Sequence, residues 1–221
     1  MSEIAIPDVI PIFPLPQTVL LPAEVLPLHI FEPRYRDMIR DALGTHRVIG
    51  MVEPMPGHED LLAGRPPLRS VGCAGFIARH AELSDGRYLI WLVGFRKFTI
   101  EEEIRSVTPY RQARIRPSSD ALSKEGKEAV RPLRLLLLAS LPTLVNDTEE
   151  KVAEMMKELA EVDDDQLIAV ACHALSLPAD RKREILEAGG IVQRYLLLHD
   201  VVEDFLSSQA AVVPFQSKYV N

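Results

Sequence analysis

The residues with the most chemical reach in this chain are six histidines, two cysteines and a run of three aspartates, and their spacing decides what they can do. His29, His46, His58, His80, His173 and His199 lie too far from one another along the chain for any two to form a local ligand pair. His58-Glu59 begins like a zinc-protease helix, but Leu62 stands where the second histidine is required. No Cys-x-x-Cys occurs, which excludes a structural zinc site built from cysteines. Cys172 and His173 could make a thiol and a base, yet neighbours on a helix point about 100° apart, so packing is the simpler role. Asp163-Asp164-Asp165 lacks the alternating ligands and turn glycine of a calcium loop and suits a helix start instead. Gly126-Lys127 has Ala121 and Glu128 where a phosphate-binding loop needs glycine and a hydroxyl, and Gly-x-Ser-x-Gly is absent. No catalytic residue, no metal ligand and no cofactor is therefore expected.

Elements must still position whatever surface the chain uses. The 221 residues suffice for one large domain or two small ones. A net charge of −7 argues against a nucleic-acid partner, because phosphate binding needs a concentrated positive field. Arg96, Lys97, Arg105, Arg111, Arg114 and Arg116 form a possible basic stripe, which Glu101, Glu102 and Glu103 are placed to balance. The longest apolar run, Leu135 to Leu141, is far too short to span a bilayer, and Met1 to Asp8 does not read as a secretory signal. Cys73 and Cys172 read as buried free thiols in a reducing compartment, and a cytoplasmic location follows as the expectation.

Residues 8–117 read as strand and turn. Val9 to Leu28 carries five prolines, which predicts short edge segments. Pro33 and Gly44 bracket a helix whose apolar residues Tyr35, Met38, Ile39 and Ala42 keep the helical period. A strand is expected at Arg47 to Glu53, then a long loop to Ser70. Asp85-Gly86 predicts a two-residue hairpin between Val71–Leu83 and Arg87–Val93, with both central residues at positive φ. Tyr88 to Val93 is apolar on both alternating sets, which predicts a central strand buried on both faces. Gly94 is expected to turn the chain into Phe95–Ile104, with Phe98 and Ile100 inward and Lys97, Thr99 and Glu101 outward, and Tyr110–Arg116 closes the set.

After Ser118 the pattern becomes helical, at about 121–141, 148–161, 164–177, 179–188 and 191–207. Pro132 should kink or break the first helix. Leu167 to Leu177 is apolar all round and reads as buried, while Gly189-Gly190 separates the last two helices. His199 falls on an apolar stripe, where a partly buried histidine bonded to a neighbour is the expected state.

Two stretches carry a family likeness. Pro11-Ile12-Phe13-Pro14-Leu15-Pro16-Gln17-Thr18-Val19-Leu20-Leu21-Pro22 and Leu26-Pro27-Leu28-His29-Ile30-Phe31-Glu32-Pro33-Arg34-Tyr35 resemble the start of the Lon substrate-binding domain. Gly72-Cys73-Ala74-Gly75-Phe76-Ile77, Asp85-Gly86-Arg87 and Val93-Gly94-Phe95-Arg96-Lys97-Phe98 resemble its paired strands, and the likeness runs from about residue 8 to 207. It is nearest to the free-standing members of that family. The resemblance implies an α+β fold: a PUA-like β pseudo-barrel N-terminal subdomain (1–118), a C-terminal α-helical bundle (119–208) and a tail (209–221). It implies a non-catalytic module that binds unfolded or tagged proteins and peptides, as an adaptor in protein quality control beside a separate AAA+ protease. The chain itself has neither Walker motifs nor a Ser-Lys dyad. Phe13, Leu15, Val19, Leu20, Phe31 and Tyr35 are the expected wall of the peptide groove, with burial in the core as the competing role. RNA binding is the second function, since PUA-like barrels often bind RNA. The sequence sets no oligomeric state. Val212, Val213, Phe215 and Tyr219 make the tail apolar, suited to packing back on the domain or to docking in a neighbour's groove.

Overall fold

The computed structural model describes residues 4–58, 64–118, 122–144 and 148–210. Six strands come first: β1 (Val9–Pro14), β2 (Val25–Ile30), β3 (Val48–Val52), β4 (Val71–Glu82), β5 (Tyr88–Ile104) and β6 (Arg111–Pro117), with helix α1 (Pro33–Leu43) between β2 and β3. Five helices follow: α2 (Lys124–Leu144), α3 (Glu149–Glu161), α4 (Asp164–Ala174), α5 (Ala179–Glu187) and α6 (Ile191–Ala210). The strand order is β2-β5-β4-β3-β1-β6, and β6 also pairs with β5. The sheet therefore closes on itself through β5, β4, β3, β1 and β6, while β2 extends it as an edge along the first half of β5. The pairing of β1 with β3 is parallel and the others are antiparallel.

Two apolar cores follow from the alternation of side chains across strands. Ile10, Ile12, Val48, Val52, Phe98 and Ile115 fill one, inside the closed part of the sheet. Ile49, Met51, Cys73 and Ile77 point the other way and join Leu137, Leu167 and Tyr195 of the helices in the second. Sheet and helices thus share a continuous interior. Ion pairs reinforce the joint: Arg183 of α5 donates to the buried Glu53 at 2.8 Å, and Lys182 bonds Glu24. Buried Lys97 donates to the carbonyl of Ala188, which corrects its expected outward direction.

Prolines behave differently from the sequence expectation in two places. β1 is an interior strand, paired on both sides, despite Pro11 and Pro14. Pro11 lies opposite Gln112 in a pair whose ladder bonds fall on its neighbours, as the Ile115 N–H to Asp8 carbonyl bond fixes, and parallel pairing with β3 starts only at Ile12. Its missing N–H costs the sheet nothing. Helix α2 runs unbroken through Pro132 and Pro142. Pro132 is exposed, so water can satisfy the carbonyl that loses its partner.

The β4–β5 hairpin has a three-residue loop, Ser84-Asp85-Gly86, rather than the two-residue turn expected. Leu83 and Arg87 close it through the Leu83 N–H, and only Gly86 has positive φ, at 77°. Asp85 instead accepts from the Arg87 N–H and side chain, which a tight two-residue turn would not allow. Gly94 does not turn the chain either. β5 is one 17-residue strand, and the irregularity is a register shift against β4 between Ala74 and Gly75. Glycine is needed at 94 for space, because a Cβ there would lie 2.1 Å from the carbonyl oxygen of Leu21.

Asp163 caps α4 through a reciprocal pair with Gln166, as the aspartate run suggested. Asp164 accepts from Arg134 and from the Tyr195 hydroxyl, and Asp165 pairs with the buried Arg194. All three carboxylates are therefore spent on structure. Gln209 and Ala210 belong to α6, and residues 211–221 of the expected tail lie outside the described residues.

Candidate functional site

The strand Tyr88–Val93 supplies the main surprise. Tyr88, Ile90 and Leu92 are buried, but Leu89 and Trp91 on the opposite face are 37% and 40% exposed. An apolar set on both faces predicts burial on both; one face is instead open. Register shows what surrounds it. Pro27, Trp91 and Arg79 lie opposite one another across β2, β5 and β4. His29, Leu89 and Ala81 form the next row, and Val25, Val93 and Phe76 the row before. Residues directly opposite on one face stand about 5 Å apart, so these rows are contiguous. Val25 is 54% and Phe31 61% exposed, and the Phe31 ring lies 6.1 Å from that of His29. Scattered exposed apolar residues are ordinary, but a contiguous face of them marks an interaction surface.

The free edge of β2 borders this face. The Gly94 N–H bonds the Glu24 carbonyl, which makes Val25↔Val93 a pair without mutual ladder bonds. By alternation Val25, Pro27 and His29 turn their backbone groups outward, and Pro27 contributes a carbonyl but no donor. No other described strand pairs with that edge. Its start is fixed by a tight turn, in which the Glu24 N–H bonds the Leu21 carbonyl and the Leu21 N–H bonds the Glu24 carboxylate at 3.0 Å. A cleft of about 420 Å³ opens between this turn and α4, lined by Glu24, Val25, Gln166, Ala169, Val170 and His173. Val25 belongs to both cleft and face.

Most of the wall expected from the sequence is buried. Phe13, Val19, Leu20 and Tyr35 are buried in the helix-covered core, and Leu15 packs against it partly covered. Little of their surface is open to a partner. Phe31 alone of the six stands out in solvent. Val25, Pro27, Leu89 and Trp91 are exposed and are not among the six. Leu89 and Trp91 carry a sequence signal, the doubly apolar alternation of Tyr88–Val93, which a buried strand and an open apolar face share; Val25 and Pro27 carry none.

The other chemical candidates take structural states. Cys73 and Cys172 are buried and unbridged, and burial pushes both thiols up to about 12. His199 pairs with Glu203 one turn on, at 3.3 Å. Arg111 pairs with Glu103 and Arg116 with Glu101, so glutamates of β5 balance these two residues of the basic stripe. Among the described residues no cluster of histidine, cysteine or carboxylates is arranged to hold a metal ion. No described helix is long and apolar enough to cross a membrane.

Comparison with known proteins agrees with this architecture. Residues 9–204 match the ATP-dependent protease La (LON) substrate-binding domain, and the chain belongs to that family. Lon protease 2 of Sorangium cellulosum is 29% identical over 201 residues, covering 86% of this chain and 24% of its own length. Lon protease 2 of Myxococcus xanthus is 25% identical over 202 residues, with 89% and 24% covered. The chain thus spans about a quarter of the length of the curated relatives it matches. Among solved structures, the N-terminal domain of Mycobacterium avium complex Lon protease superposes with a TM-score of 0.67 at 20% identity, over 89% of this chain and 98% of that one. A Lon N-terminal domain protein from Xanthomonas campestris gives 0.58 at 23% identity, over 90% and 97%. These likenesses establish the fold.

Proposed function

We propose that this chain is a recognition module for polypeptide segments that expose apolar side chains, as its family's description as a substrate-binding domain suggests. The observation that carries the reading is the uncovered apolar face of β2, β5 and β4 beside a free strand edge. An extended client segment would lay side chains on Phe31, Trp91, Leu89 and Val25 while its backbone meets the outward carbonyls and N–H groups of β2. Pro27 weakens such pairing at its centre, which favours brief capture over permanent strand addition. The barrel portion, 1–118, would do the recognising and the helices of 119–208 would brace it. Of the six residues first expected, Phe31 would contact the client, and the buried four would hold the strands that present it.

The role is binding rather than catalysis. Neither a phosphate-binding loop nor a nucleophile elbow occurs in these 221 residues. Captured clients would pass to a separate ATP-driven protease in the cytoplasm, with this chain as adaptor. Trp91 is the sole tryptophan and lies on the proposed surface, so its emission reports occupancy directly. Titration with a permanently unfolded protein that has no tryptophan of its own, such as reduced and carboxymethylated ribonuclease A, should shift that emission to shorter wavelength in a saturable way. The folded form of the same protein should leave it unchanged. Absence of any shift with the unfolded protein, or a salt-sensitive response to RNA instead, would overturn the reading.

A further inference from the structure

Two surfaces already described meet at one residue. Val25 is 54% exposed, lines the cleft of about 420 Å³ against α4 and begins the apolar face of β2 and β5. Val162, Ala169 and Val170 make the opposite wall of the cleft apolar. Its lining carboxylate, Glu24, is held by Lys182 and by the Leu21 N–H, so the cleft calls for an apolar group rather than a cation. The volume lies within the range of roughly 300–1,000 Å³ typical of ligand sites, ample for one aromatic side chain.

The end of α6 lies on the same side of the molecule. Asp204, near that end, stabilises the charge of Arg181 at the start of α5. The neighbouring Lys182 is the residue that bonds Glu24 in the cleft. From Asp204 to Ala210 the helix advances only about 9 Å. An extended chain from 211 to 221 then spans up to roughly 35 Å, about twice the ~17 Å radius of gyration of a domain this long. That length covers the path from α6 to the cleft with residues to spare.

The segment has the chemistry the cleft calls for. Val212, Val213, Phe215, Tyr219 and Val220 make it apolar, and β-branched and aromatic residues suit an extended chain. Pro214 opposes its continuing as helix. Lys218 is its only charged side chain, in a chain of net charge −7, so the field of the domain draws the segment back.

We propose that residues 211–221 are an internal ligand of this cleft. Phe215 seats between Val25 and Val170, which closes the Val25 end of the apolar face to clients and leaves Leu89 and Trp91 open. The docking stands on its own; its regulatory meaning rests on the client reading of that face. A short tether holds such a segment at an effective concentration of about 1 mM. With an intrinsic dissociation constant of ~100 μM it would weaken competing clients about tenfold.

The full chain tests both parts. Cys73 and Cys172 are buried and resist reagents, so the variant Gln216→Cys takes a nitroxide at that position alone. Paramagnetic broadening should reach the amide resonances of Val25, Val170 and His173 and spare that of Arg114 in β6. The labelled chain, mixed with an isotope-enriched parent, should broaden nothing in the parent. No broadening at the cleft, or broadening carried over to the parent in the mixture, would overturn the internal docking. Adding Phe215→Asp should abolish the broadening and leave the far-ultraviolet circular dichroism unchanged. Phe215→Asp alone should tighten the binding of unfolded ribonuclease A about tenfold, read from Trp91 emission. Equal affinity in variant and parent would overturn the competition. Broadening at the cleft in a protein that captures no unfolded chain would support the docking and sink the client reading instead.

Discussion

Replacing Phe31 with alanine separates binding from folding at the proposed client face. A phenylalanine presents about 200 Å², and Phe31 leaves 61% of its surface in water. Roughly 120 Å² is therefore free for a partner to cover, worth at most about 3 kcal/mol at ~25 cal/mol per Å². Interfaces seldom realise the full area, because ordering side chains opposes it. Half coverage corresponds to ~1.5 kcal/mol, or about a tenfold loss of affinity on truncation. The same exposure means that folding gains little from the ring, so the unfolding free energy should change by less than about 0.5 kcal/mol. Trp91 emission during titration with unfolded protein reads the affinity, and urea unfolding reads the stability. An affinity within about twofold of the parent (under ~0.5 kcal/mol), in a protein of unchanged stability, would refute the assignment of Phe31. A large loss of stability would refute its description as an exposed residue.

Other predictions concern the frame behind that face. Gly94→Ala should destabilise by about 3 kcal/mol or more, since the new Cβ meets the Leu21 carbonyl oxygen at 2.1 Å and backbone must move; a urea midpoint near the parent value would contradict this. Asp163→Ala should cost about 1 kcal/mol by removing the α4 cap, seen as a lower thermal midpoint, with Asp163→Asn recovering most of it. Cys73 and Cys172 should resist a thiol reagent at pH 8 in the native protein and react at once in denaturant. Both thiols are raised to about 12 from an ordinary 9.0, so the unfolded chain ionises first. Stability should hold below pH 9 and fall as pH rises from 9 toward 12; a flat alkaline profile would argue that these thiols are accessible.

The legibility of the molecule differs sharply between element and surface. α1 appeared in the sequence with its start and stop because Pro33 and Gly44 act locally, and Asp163 announced α4 for the same reason. The family motif around Phe31-Glu32-Pro33-Arg34-Tyr35 was specific enough to indicate the fold, and the match over residues 9–204 agrees. β1 misled, because a proline is harmful or harmless according to which side of the strand its nitrogen faces, and that depends on partners far away in sequence. Gly94 misled too: its small size serves the approach of the Leu21 backbone, a contact across the fold rather than a local turn.

What the sequence determined by itself was local: the alternation of strands, the helix caps, the lack of catalytic and metal-binding spacings, and the family to which the chain belongs. Tertiary structure alone decided which apolar residues are left uncovered. Phe13 and Phe31 are the same residue type in the same motif, yet one is buried beneath α1 beside Tyr35 and the other stands in water. Leu89 and Leu92 share a strand and differ only in parity, so the placement of the helices against one face selects which is core and which is surface. Burial depends on what packs against a residue from elsewhere in the chain, and no local pattern encodes that.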